Sequence, residues 1–111
     1  MTVARVDQLR TLAFGSLTTA YVPLGTPLAH AWRIWKITNN TNGDILISFD
    51  GVGDNIFLPA NSFTLYDIAT NADQNAASAL TMAVGTQYYV KYSTAPSSGA
   101  VYLEGIYEQG Q

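Results

Sequence analysis

Apolar and polar residues alternate along this chain in short bursts, and Gly, Pro, Asn, Asp or Ser interrupts each burst within a few positions. That rhythm is the mark of strands and turns. No window carries an apolar stripe at helical spacing with a cap at either end. The first predicted strand covers residues 11–17, where Leu12, Phe14 and Ser16 alternate with Ala13, Gly15 and Leu17. Tyr21-Val22 is a second, stopped by Pro23 and by Gly25-Thr26-Pro27; proline favours an edge position.

The strongest strand signal is AWRIWKIT, residues 31–38. Counting by twos puts apolar residues on both of its faces, which suits a strand covered on both sides. The run 39–44 (NNTNGD) then reads as a tight turn in which Asn42-Gly43 supplies positive φ, and ILISFD at 45–50 reads as the returning partner of a hairpin. Further strands are expected at 55–58, 62–68, 87–93 and 100–108. Residues 70–78 read as a helical turn or a long surface loop, and 80–84 are ambiguous. About eight short strands, spaced roughly 8–12 residues apart, predict an all-β fold: an antiparallel two-sheet sandwich, jelly-roll-like, with a partly closed barrel as the alternative.

With 111 residues the chain has room for one core. It is expected to form a single domain over 1–111, with residues 1–11 as an extended N-terminal arm. Charged residues make up only 12%, about half the usual share of roughly 25%. A surface so poor in charge tolerates contact with other protein and points to self-association, most simply a homodimer. The net charge of −3 argues against nucleic acid as a partner. No apolar run of signal-peptide length opens the sequence and no uncharged stretch is long enough for a membrane helix, so cytoplasmic synthesis and no membrane partner are expected. Charge is uneven: Arg5, Arg10, Arg33 and Lys36 stand against Asp7 in the first 36 residues, while Lys91 alone stands against Asp44, Asp50, Asp54, Asp67, Asp73, Glu104 and Glu108 in the rest. Either the basic part lies on an acidic neighbour or few charges are simply scattered.

Candidate chemistry is thin. There is no cysteine, hence no thiolate metal site or thiol nucleophile. His30 is the single histidine, and no G-x-S-x-G turn offers it a serine; an interface or partly buried ring is its simpler role. Residues 50–55 (DGVGDN) resemble part of a calcium loop but lack the full ligand pattern; the competing reading is a turn whose Asp and Asn side chains cap backbone N–H groups. Glu104 and Glu108 share one strand face and could be paired carboxylates, or merely solvated. Asn39-Asn40-Thr41 is a sequon, which without a secretory signal marks only a turn. The chain is therefore expected not to be an enzyme and to need no cofactor or metal. Tyr88 and Tyr89, being adjacent in a strand, must face opposite ways, so one of them should lie outside the core.

The run WKITNNTNGDILISFDGVGDNIFLPANSFTLYDIATN, from Trp35 to Asn71, resembles a pattern of small bacteriophage structural proteins. It is carried by Trp35, Ile37, Asn39, the turn at Asn42-Gly43-Asp44, Ile45, Ile47, Ser48, Asp50, Gly51, Leu58, Pro59, Ala60, Ser62, Phe63, Leu65, Tyr66 and Asp67. Length and acidity add to a likeness to the small capsid staple, cement or decoration proteins of short-tailed epsilon-type Salmonella phages. The resemblance implies a jelly-roll-like virion component on the outer capsid surface. Such a molecule would pair across two-fold positions, clamp the major capsid protein shell and carry no catalytic residues. The contact residues expected on that basis are Arg5, Arg10, Tyr88, Tyr89, Tyr92 and Tyr107. The alternative is a carbohydrate-binding or adaptor β-sandwich of the phage tail, with residues 50–55 beside Tyr66 as its sugar edge.

Overall fold

In the computed structural model, residues 3–67 and 81–109 are described. Nine strands are found among them: β1 (Val3–Val6), β2 (Arg10–Ala13), β3 (Val22–Pro23), β4 (Trp32–Thr41), β5 (Ile45–Ser48), β6 (Ile56–Leu58), β7 (Ser62–Asp67), β8 (Tyr89–Tyr92) and β9 (Gly99–Gln109). The only helical turn among the described residues is a 3-10 turn at Phe14–Ser16. The region 70–78 and residue 80 lie outside the described residues; in the rest of 80–84 no strand forms, and Met82 makes an isolated antiparallel bridge to Trp32.

Every pairing is antiparallel, and the pairings nest: β5 with β6, β4 with β7, β3 with β8, β2 with β9. A chain folded back on itself in this way is one long two-stranded ribbon. Wound up, it gives two sheets, β1/β2–β9–β4–β7 and β3–β8–β5–β6. This is a jelly roll, and the all-β two-sheet expectation holds. Alternation explains its core: Trp35, Ile37, Val101 and Leu103 from the first sheet meet Ile45, Ile47, Leu58, Tyr88 and Val90 from the second, all buried.

The predicted 39–44 hairpin is not formed. β4 pairs with β7 and β9, whereas β5 pairs with β6 and β8, so the chain passes from one sheet to the other between Thr41 and Ile45. The buried Asn39 side chain holds this corner. Its amide NH2 donates to the carbonyls of Gly43 (2.8 Å), Leu58 (3.1 Å) and Pro59 (3.0 Å), while its Oδ1 accepts from the Thr41 N–H (3.1 Å) and hydroxyl (2.6 Å). The φ of Gly43 is not positive. Glycine is required for room instead, because a Cβ there would run into the Thr94 carbonyl and the Pro96 ring.

From Val3 onward the N-terminal stretch is paired into the first sheet. β1 and β2 run in succession along one edge of β9, joined through the Asp7 N–H to the Gly105 carbonyl (2.8 Å). Gly105 lets Trp32 lie flat on β9: a Cβ at 105 would fall inside the indole.

Two substitutions and a control test the roles of Asn39 and Gly105. Asn39→Ala strips three carbonyls and Thr41 of their partner and should cost about 3 kcal/mol in urea unfolding. Gly105→Ala should cost about 2–3 kcal/mol through overpacking against Trp32, lowering Tm by on the order of 10 °C. Gly15→Ala, with nothing within 4 Å of the new methyl, should stay within about 0.5 kcal/mol of the parent.

Candidate docking surface

The six residues expected to make contact do not share a surface. Arg5 is exposed on β1 across from Tyr107, which is half-buried beneath the stacked ring of His30, 3.8 Å between centroids. Arg10 points inward; its side chain is only 11% exposed and its guanidinium lies 5.0 Å over the Trp32 ring and 3.9 Å from Asp7. Tyr88 is 1% exposed and sits in the middle of the aromatic cluster, 5.1 Å from Trp35, 5.0 Å from Phe49 and 5.7 Å from Trp32. Arg10 and Tyr88 are therefore removed from any contact surface, because strand alternation sends both into the space between the sheets. Tyr88 and Tyr89 do face opposite ways: Tyr89 is half-buried on the outer side of β8, against Gly51. Tyr92 packs against the core.

Much of the charge is spent inside the molecule. Arg33 pairs with Glu108, Arg10 with Asp7, and Lys91 with Asp54 at 3.5 Å. The uneven sequence distribution thus becomes partly an internal match between β4 and β9. In the 50–55 loop, Asp50 Oδ1 accepts from the N–H groups of Val52 and Gly53 (both 2.9 Å) and from the Ser48 hydroxyl, and Asn55 Oδ1 accepts from the Phe49 N–H. These are the capping roles of a turn. The Gly53 and Val52 N–H groups hold the Asp50 carboxyl below the usual carboxylate range. Tyr21 donates to Asp54, lowering the Asp54 pKa, while burial and that bond push the Tyr21 hydroxyl upward. Tyr66 is stacked on Trp35, 4.6 Å between centroids. The sugar edge proposed for it beside residues 50–55 is replaced by a core contact. Among the described residues no group of three His, Cys, Asp or Glu could hold a metal ion.

A surface that the residue-by-residue reading passed over is the outer face of the β1/β2–β9–β4–β7 sheet. Register lays it out as rungs. Val6, Ile106, Ile34 and Asp67 form one; Glu104, Lys36 and Leu65 the next; Tyr102, Thr38 and Phe63 the third. Val6 is 77% exposed, Phe63 60%, Leu65 58% and Leu9 52%. A shallow depression between β1 and β7 is lined by Val6, Ile34, Lys36, Leu65, Glu104 and Ile106, and a second adjoins it near Leu9, Thr38 and Tyr102. Glu104 and Glu108 do share a face, as expected, but Glu108 is engaged by Arg33 and Glu104 lies across from Lys36. The Lys36 ammonium leans over the Phe63 ring, 4.7 Å from its centroid. The signal was present in the sequence: residues 31–38 are apolar on both faces, and the described residues cover only the inner one.

No protein-family model matches the chain, and no curated protein matches it. Among solved structures, the chain is similar to the Dit protein of phage SPP1, described as a paradigm of the hub adsorption apparatus in phages infecting Gram-positive hosts. The match has a TM-score of 0.41 and 13% identity, covering 96% of this chain and 49% of that one, so this chain spans about half its length. A phage structural protein thus stands among the chains whose backbone course this one resembles. At that level the likeness carries no functional weight.

The Asp7 carboxylate gives this region a measurable handle. Burial pushes its pKa up, but the Trp32 indole N–H (2.8 Å), the Gln8 N–H, Arg10 and His30 outweigh that and hold it below the ordinary value of 3.8. A folded-state pKa below the unfolded one contributes stability above pH about 4, and that stability is lost as pH falls through the folded value. Asp50 and Asp54 add to the same acid limb. Asp7→Asn should therefore lower Tm at neutral pH and flatten the fall in stability below pH about 4, read as Tm against pH.

Proposed function

We propose that this protein is a structural component of a bacteriophage virion: a minor capsid decoration protein, a staple or cement, that binds the outer surface of the major capsid protein shell and stabilises it. The observation that carries this reading is the exposed apolar outer face of the β1/β2–β9–β4–β7 sheet on a chain with little free charge. Apolar area of this kind marks a protein-docking site. The Trp35–Asn71 motif and the jelly roll support the same reading. The protein works by contact and not by turnover: the His30 ring is stacked on Tyr107, and Glu108 and Asp54 are held in ion pairs. A small module bound to two neighbouring subunits stabilises a shell through multivalency, since both contacts must release before a subunit can leave.

Particles stripped of the protein should release their DNA at a lower temperature than decorated ones, and adding the purified protein back should restore the difference. Equal release temperatures would remove the cement role. Copy number in purified particles separates the readings further. Near-parity with the major capsid protein belongs to a shell protein, and a single small ring of copies to a tail adaptor.

A further inference from the structure

We infer that Asn42-Gly43 is a latent deamidation site: closed while the β4–β5 corner is folded, reactive when that corner opens, and damaging through its isoaspartate product.

This is the only Asn-Gly pair in the sequence, and the reaction needs no enzyme. The Gly43 amide nitrogen loses its proton and attacks the carbonyl carbon of the Asn42 side chain. The new N–C bond closes a five-membered succinimide, and ammonia leaves. Water then opens one of the two ring carbonyls that flank the nitrogen, giving aspartate or, more often, isoaspartate. Glycine favours the first step because it has no Cβ to block the approach. Asn55 and Asn61 precede Ile56 and Ser62, whose side chains obstruct it.

In the fold every participant is occupied. Asn42 is exposed, but the β8–β9 loop grips both ends of its side-chain amide. The NH2 donates to the Ser97 hydroxyl (2.7 Å), and Oδ1 accepts from the Ser97 N–H (2.8 Å). The Gly43 N–H, whose proton must leave, donates to the Thr41 hydroxyl oxygen (3.3 Å). That oxygen is itself fixed, since the Thr41 hydroxyl donates to the buried Asn39 Oδ1 (2.6 Å). Gly43 is buried against the Thr94 carbonyl and Pro96. Hydroxide is thus kept from its N–H, and the peptide has no room to swing towards the Asn42 side chain. Opening the corner removes these restraints together.

The two products differ in what they do to the corner. Aspartate keeps the main chain, and its carboxylate still accepts from the Ser97 N–H and hydroxyl. Isoaspartate routes the main chain through Cβ and Cγ, which adds one carbon–carbon bond, about 1.5 Å. The chain changes sheets between Thr41 and Ile45, and the Gly43 carbonyl must still meet the Asn39 amide (2.8 Å). An extra backbone atom there drives Gly43 into Thr94 and Pro96. A copy that stays open long enough to convert is thereby kept from refolding.

Peptide mapping with isoaspartate detection reads the rates for full-length protein held in mildly alkaline buffer, native and in guanidinium chloride. In denaturant Asn42 should convert well ahead of Asn55. In the native protein it should convert at least about a hundredfold more slowly, since only open molecules react. Ser97→Ala, at an exposed position, should speed the native rate roughly three- to tenfold and leave the rate in denaturant unchanged. On dilution from denaturant, isoaspartate chains should stay out of the refolded fraction, while aspartate chains and the variant Asn42→Asp refold. Equal native and denatured rates overturn the inference, as does a native rate indifferent to Ser97→Ala. So does a denatured Asn42 no faster than Asn55, or an isoaspartate chain that refolds like the parent.

Discussion

The fold depends on one corner. A ribbon of nested strand pairs becomes a sandwich only if the chain changes sheets, and between β4 and β5 it does so within three residues, Asn42 to Asp44. A short turn at that place could close a hairpin instead, leaving β5 beside β4 and the second sheet without a start. Asn39 decides between the two. Its side chain is buried where water cannot compete, and it joins the end of β4, the corner itself and the end of β6 through Gly43, Leu58 and Pro59. An amide buried with all its capacity used is a strong director, because any arrangement that leaves its partners unpaired costs their full desolvation.

A second tie closes the sandwich at the N-terminal edge. Trp32 lies on Gly105, donates its indole N–H to Asp7 and carries the Arg10 guanidinium over its ring. Asp7 and Arg10 flank the Gln8-Leu9 break between β1 and β2, so the polar contacts fall where ladder bonding between the edge and β9 is interrupted. The same arrangement lifts Val6 and Leu9 into solvent. The feature that stabilises the edge therefore also builds one rim of the docking face.

Low charge then acquires a structural meaning. Arg33, Arg10 and Lys91 are held by acids within the chain, and on the outer face Lys36, Glu104 and Asp67 stand among exposed aliphatic and aromatic side chains. Such a face has the composition expected of the docking surface proposed above. Cementing a shell needs no more chemistry than that: complementary surface, repeated many times.

Strand placement was legible in the sequence because it is local. Alternation and the punctuation by Gly, Pro and Asn marked β4, β5, β7 and β9 to within a few residues, and the count and spacing of strands pointed to the jelly roll. The opposed faces of Tyr88 and Tyr89 followed from strand geometry alone. Pairing was not legible where it is non-local. Period-2 alternation says that a strand has two faces but not which strand lies beside it, so 39–44 read as a hairpin until the buried hydrogen bonds of Asn39 placed β4 and β5 in different sheets. Nor could alternation say which of the two tyrosines goes inside, or that Arg10 would be drawn in by Trp32 and Asp7. The sequence alone determined that residues 31–38 are apolar on both faces; only the tertiary structure decided which face the second sheet covers and which is left exposed, because that choice depends on contacts between segments far apart in the chain.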